Sequence, residues 1–191
     1  MAVAARTDEN RGVTHAHRPL VDPACAIAHG ELPPNTPPRT LVAVFDSPVA
    51  DQLMHFARDL GFRTVLLEPD NDVLVHADWR YADLVSSMAT GDIIDQSTDV
   101  VVTDHDRPEL GRVLAEVLRL PARWIGIMGS VRHSAPHIDQ LRQLGVPDYA
   151  IARVRRPVGL NIGSRTPAEI AVATLAGLIA DRNRRPGGFS F

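Results

Sequence analysis

The stretch TLVAVFDSPVADQLMHFARDLGFRTVLLEP, residues 40–69, decides the fold. Its first piece, Thr40 to Phe45, is a short β-branched apolar run between Pro38 and Pro48, the composition of a strand buried on both faces. Val49, Leu53, Phe56, Ala57 and Leu60 then recur at helical spacing, and Gly61 closes that helix. Arg63 to Glu68 is a second buried strand, ended by Pro69. Strand, helix and strand joined by connections this short make a βαβ unit, with parallel strands and a right-handed crossover.

The same alternation continues towards the carboxyl end. Asp99 to Thr103 predicts a strand and Arg107 to Leu118 a helix, with Asp106 as N-cap and Glu109 as its capping-box partner. Trp124 to Met128 predicts a strand. Ser130 to Leu144 predicts a helix stopped by Gly145 and Pro147, which Pro136 starts or kinks. Thr166 at N-cap, Pro167 at N1 and Glu169 at N3 open a last helix that runs to about Arg182. Residues 71–98 read least clearly, with a helix expected over Ala82 to Met88. The whole is an α/β domain of the doubly wound type over residues 39–183, a parallel sheet with helices on both faces. Residues 184–191 are expected to be a short tail. Residues 1–38, broken by Pro19, Pro23, Pro33, Pro34, Pro37 and Pro38, read as a tail and linker with at most a short extended segment between Pro19 and His29.

Composition narrows the function classes. With 45% hydrophobic and 23% charged residues in 191, the chain can bury a core without disulfide or metal. A net charge of -3 gives no electrostatic reason to expect nucleic acid or an anionic membrane as partner. No apolar run approaches the ~18 residues of a membrane helix. The single Cys25 and the charged Arg6, Asp8 and Glu9 near the start predict a cytoplasmic protein without a secretory leader. His15, His17, His29 and Cys25 match no zinc spacing, so no metal site is expected. Arg182, Arg184 and Arg185 suit a solvated helix terminus.

Ligands of an open parallel sheet bind beyond the carboxyl ends of its strands. The turn after the first strand, Asp46 to Ala50, has no glycine, and a Cβ there blocks the close approach of backbone to a pyrophosphate. That argues against ordinary NAD(P) binding and favours a plain strand-to-helix turn with Asp46 or Ser47 as N-cap. Glu68 ends the second strand, where an acid reaches ribose hydroxyls or is merely a solvated loop carboxylate. Asp104, His105 and Asp106 could tune a general base at a strand end, or the two acids could serve the next helix with His105 at the surface. Gly129, Ser130 and Arg132 form a candidate anion cradle. The richest segment is Arg155 to Thr166, in which Gly159, Asn161, Gly163, Ser164 and Thr166 precede a capped helix and suit a phosphate or pterin-type anion; a purely structural glycine loop is the competing reading.

Trp124 to Ser130 followed by Arg132 resembles the Y-I-G-L-L-G-S-R segment of the XdhC/CoxI family, accessory proteins of molybdenum hydroxylases. Pro157 to Gly163, then Thr166 to Ala171, resembles that family's P-I-G-L-D-I-G-x-x-T-P-E-E-I-A signature, and the similarity covers roughly Pro37 to Arg182. The resemblance implies a Rossmann-like domain that helps mature xanthine dehydrogenase or carbon monoxide dehydrogenase. It further implies a chaperone-like rather than catalytic role, molybdenum cofactor (molybdopterin) as ligand, the client enzyme as partner, and self-association into a homodimer. Gly129, Ser130, Gly159, Asn161, Gly163 and Thr166 are then the residues expected to face the ligand. The chain departs from the family at the first turn, where Phe45 to Ala50 replaces G-A-G-H-x-A, and the family's separate amino-terminal domain is expected to be missing, leaving a short tail. The alternatives are an NAD(P)-dependent oxidoreductase using Glu68 and His105, and a ligand-free dimerisation or docking module.

Overall fold

A computed structural model describes residues 22–33, 37–76, 79–129 and 135–188. The chain divides into two compact units, Met1–Thr36 and Pro37–Phe191. In the first, the segment expected to be at most extended is instead a short helix, α1 (Pro23–Ala28). The reason is local: Asp22 caps it by accepting the Ala24 amide, and Pro23 stands at its first turn, where no N–H is missed.

The second unit is built on a six-stranded, all-parallel sheet of β1 (Thr40–Val44), β2 (Arg63–Leu67), β3 (Leu84–Ser86), β4 (Thr98–Val102), β5 (Trp124–Ile127) and β6 (Val154–Arg155). The spatial order is β3-β2-β1-β4-β5-β6, so the chain reverses direction across the sheet between β1 and β4. Helices α2 (Pro48–Asp59) and α7 (Pro167–Arg182) cover one face; α4 (Leu110–Leu118) and α5 (Pro136–Gln143) cover the other. The period of two along β1 sorts its side chains: Leu41 and Ala43 join the α2–α7 core, Val42 and Val44 the α4 core. This is the Rossmann-like, doubly wound architecture the alternation predicts. No helix among the described residues is long and apolar enough to cross a membrane.

Local signals held where they were strong. Ser47 caps α2, Gly61 turns the chain out of it at φ 79, and the Thr166–Glu169 capping box opens α7. Three elements differ. Ala82 to Met88 is not a helix: it contains the edge strand β3, whose register places Leu84 beside Val65. Asp83 fixes that register by accepting the Thr64 amide at 2.9 Å, a contact between residues too far apart for local pattern to reveal. Helix α4 begins at Leu110 rather than Arg107, because Arg107 turns back to an acid of another strand; Asp106 caps nothing. Helix α5 begins at Pro136, the residue that cannot donate into a preceding turn. Helices α3 (Asn71–His76) and α6 (Asp148–Ile151), with β6, carry too little periodicity to be read.

Arg182 is also placed differently from expectation. It is mostly buried and donates to the fully buried carboxylate of Asp99 at 2.8 Å and to the Ser97 carbonyl at 2.6 Å. Arg123 donates to the other Asp99 oxygen at 2.6 Å and reaches Asp181 at 2.7 Å. Burial pushes the Asp99 carboxyl up from its ordinary value, against the pull of the Arg123 and Arg182 guanidiniums. This network ties the start of β4, the lead into β5 and the end of α7 together at the amino end of the sheet.

Candidate functional site

At the carboxyl rim, the reversal between β1 and β4 should open a crevice for a ligand. Here the protein fills it with its own groups. Phe45, in the left-handed region at φ 72, turns the chain so that the Asp46 amide donates to Glu68 Oε2 at 2.8 Å. The Asp70 amide takes Glu68 Oε1 at 3.0 Å. Arg107, from the loop after β4, grips the same carboxylate with two nitrogens, at 2.9 and 3.1 Å, while its guanidinium lies 4.9 Å from the centre of the Phe45 ring. Glu68 is fully buried. It is therefore neither a solvated loop acid nor placed at a ribose: each oxygen already accepts from a backbone amide and a guanidinium nitrogen. Burial and the neighbouring Glu68 carboxylate raise the Asp46 carboxyl above its ordinary value.

Asp104, His105 and Asp106 make a local turn. The Asp104 side chain accepts the Asp106 amide at 2.9 Å, and His105 Nε2 lies 3.7 Å from the exposed Asp106 carboxylate. Among the described residues no three His, Cys, Asp or Glu side chains converge as a metal site would require.

The loop from Pro157 to Arg165 forms the wall of a cavity of about 820 Å³ against α7, lined by Gly159, Asn161, Ile162, Gly163 and Ser164. Its glycines have different reasons. Gly159, at φ 81, lies so close to α7 that a Cβ would sit 2.9 Å from the backbone of Ala173 and Thr174, and Leu160 N–H donates to the Ala173 carbonyl at 3.0 Å. Gly163, at φ 72, faces open space. Gly159 thus buttresses the helix, whereas Gly163 serves only the turn. Gly159→Ala is expected to cost about 2–4 kcal/mol of stability, from backbone overlap added to left-handed strain. Gly163→Ala is expected to cost about 1–2 kcal/mol, from strain alone. Urea unfolding of the two variants checks the difference, and equal losses would contradict it.

The amides before α7 were expected to hold an anion. Two of them are already satisfied: the Glu169 carboxylate accepts from Arg165 N at 2.6 Å and from Thr166 N at 3.1 Å, and those bonds hold it below the usual carboxylate range. Thr166 accepts the Glu169 amide in return, so it caps the helix. Ser164 lines the cavity but also donates to the Glu169 carbonyl at 3.2 Å. Asn161 lines it with a side-chain amide that bonds to no described group.

The third loop follows β5. Ser130 and Arg132 lie outside the described residues. Gly129, at φ 150, lies under the Arg156 guanidinium: a Cβ would come within 2.7 Å of Arg156 Nη2. His137, on α5, is only 3% exposed and its Nδ1 has no hydrogen-bond partner. Burial first, and the Arg156 charge second, lower its pKa. Neither His137 nor Arg107 carried a sequence signal; Arg156 did, as part of the Arg155–Thr166 segment. Behind this loop Gly126 makes room for the Trp124 ring, which a Cβ would meet at 2.1 Å, and for Val158, at 2.6 Å.

The depressed His137 pKa has a signed consequence. Below the ordinary histidine value of about 6.5 the unfolded chain takes up a proton that the folded chain refuses. Stability from this group is therefore complete above that value and is lost as pH falls through it. Chemical denaturation between neutral pH and pH 5 is expected to show a steeper loss for the wild type than for His137→Phe; parallel curves would refute a buried neutral imidazole.

Comparison with known proteins gives three results. The family model described as the XdhC Rossmann domain matches residues 41–178. The Escherichia coli (strain K12) protein YqeB, itself described as uncharacterized, is 34% identical over 123 residues, which is 64% of this chain and 21% of YqeB. A Bacillus halodurans crystal structure described as a xanthine dehydrogenase superposes with a TM-score of 0.59 at 24% identity, over 82% of this chain and 46% of that one. The chain thus spans less than half the length of either relative, and the second likeness concerns the fold alone.

Proposed function

Because the chain belongs to the XdhC Rossmann-domain family, we propose that it is an accessory protein in the maturation of a molybdenum hydroxylase of the xanthine dehydrogenase type, and that it holds molybdenum cofactor rather than turning over a substrate. The observation that carries this reading is the placement of the open space. The crevice between β1 and β4, where a dinucleotide would lie, is filled by Glu68 and Arg107, whereas the loop before α7 walls a cavity of about 820 Å³. That volume is in the range of small-molecule sites. The Asn161 amide can both donate to and accept from the edge of a pterin, and Ile162 and Ile170 supply apolar lining. Molybdenum cofactor, when bound, brings a metal dithiolene that belongs to the client's chemistry; the chain's own part is to bind and orient the pterin and keep it from water.

The test is native mass spectrometry of the protein purified from its own host, joined to equilibrium binding of molybdopterin. A co-purifying pterin or molybdenum enzyme, with binding weakened about tenfold in Asn161→Ala, is the expected result. Binding of molybdopterin no tighter than that of unrelated anions would overturn the reading. An NAD(P)-dependent oxidoreductase finds no support in the crevice, whose ribose acid is spent on Arg107. A docking role is favoured by one feature, the apolar groove between α2 and α7 lined by Phe56, Leu60, Val172 and Leu175.

A further inference from the structure

We propose that Arg123, Arg153 and Arg155, which line a cavity of about 200 Å³ towards the amino ends of β5 and β6, form a binding site for a phosphate-type dianion. The site lies at the β6 edge of the sheet and shares no lining residue with the loop cavity, so it stands apart from the proposed function.

The charges around this cavity do not balance. Arg123 donates to Asp99 through Nε and to Asp181 through Nη1. Asp99 is also held by Arg182, and Asp181 is shared with Arg155 at 3.4 Å. Arg153 pairs with no acid among the described residues. Its Nη atoms donate to the carbonyls of Leu118, Leu120 and Ala122 at the end of α4, which fix the side chain without neutralising it. Two carboxylates therefore stand against four guanidiniums, and a surplus of positive charge beside a concave surface concentrates anions there. A second, independent observation concerns a single nitrogen. Arg123 Nη2 is buried and has no hydrogen-bond partner among the described residues, a costly arrangement unless something completes it. A water satisfies a nitrogen but does not offset a charge; an oxyanion does both. Arg155 can turn to a ligand at small cost, since its side chain is 62% exposed and an exposed ion pair is weak in water. Planar guanidinium forks suit the oxygens of a phosphate, and the surplus of two charges matches a dianion, where a carboxylate would offset only half of it.

The experiment is isothermal titration calorimetry of the full chain with inorganic phosphate, phenyl phosphate and acetate, at mildly alkaline pH and at ionic strength held constant with chloride. Saturable binding of a phosphate species, tighter than that of acetate, is expected. Arg155→Gln is expected to weaken it about tenfold. Arg58→Gln removes another exposed charge, from α2 beside Asp83 at the opposite edge of the sheet, and is expected to leave binding unchanged. Circular dichroism confirms that both variants fold. In the unaltered chain, phosphate is expected to shield Arg155 from phenylglyoxal while Arg58 stays reactive, read by peptide mass spectrometry; this readout needs no variant. Absence of saturable binding, acetate binding as tight as phosphate, equal affinity in the two folded variants, or an unshielded Arg155 would overturn the proposal. Tighter binding of the ester assigns the site to an organic phosphate, tighter binding of the free ion to inorganic phosphate, and equal binding to the phosphate group whatever carries it.

Discussion

Replacing Glu68 with alanine is expected to lower the unfolding free energy by about 3–5 kcal/mol, the usual loss when one partner is taken from a buried ion pair. The cost does not measure the strength of the pair; it measures what is left behind. Arg107, only 17% exposed, would keep a charge with Glu109 as its remaining acid, and the amides of Asp46 and Asp70 would lose their acceptor. The variant has a second readout. With the carboxylate gone, the crevice holds a guanidinium and two free amides, the elements of an anion site. Phosphate is therefore expected to raise the melting temperature of Glu68→Ala by more than it raises that of the wild type. Arg107→Ala should lose comparable stability without gaining the phosphate response, because a buried carboxylate remains. A loss below about 1 kcal/mol, the value of an exposed pair, would mean that Glu68 is not buried as described.

At the opposite end of the sheet, Asp99→Ala is expected to be as damaging, at about 3–5 kcal/mol. Asp99 is fully buried and answers two guanidiniums, Arg123 at 2.6 Å and Arg182 at 2.8 Å. Arginine does not give up its proton, so both charges persist when the carboxylate is removed. Arg123 retains Asp181 and Arg182 retains the Ser97 carbonyl, which bounds the loss. Asp99→Asn keeps the shape and one acceptor oxygen but sets an amide N–H against the other guanidinium, so it should recover only a small part of the difference. Because the groups are buried, added salt should change the deficit little. Guanidinium chloride would confound that comparison, so urea unfolding at two salt concentrations is the appropriate measurement. A deficit that vanished in salt would show a surface pair instead.

These two networks also mark where sequence reading stopped. Thr40 to Leu67 was legible almost to the residue because everything that fixes it is local: apolar period, Ser47 as cap, Gly61 at the exit. The opening of α7 was legible for the same reason, with Thr166, Pro167 and Glu169 inside four positions. The site was legible only as a set of loops. Glu68 and Arg107 are 39 residues apart, and Asp99 and Arg182 are 83 apart. Nothing in the neighbourhood of any one of them announces its partner. Hence Arg107 was read as the start of a helix and Arg182 as a solvated terminus. The missing glycines after β1 could be read from the sequence, but the Glu68–Arg107 pair that occupies the space beside that turn came only from the fold. Gly159 and Thr166, read as ligand-facing, also hold and cap α7, because glycine and threonine serve tight packing and helix ends as readily as ligands.

The slot that Gly126 leaves for Trp124 supplies an internal optical probe. The chain has two tryptophans. Trp124 is shielded and lies, like Val158 of the loop that walls the cavity, against Gly126, while Trp79 is 46% exposed. Iodide should therefore silence Trp79 and leave a blue-shifted emission from Trp124, and any compound that displaces Val158 on entering the loop would register as a change in that residual colour, with no label attached.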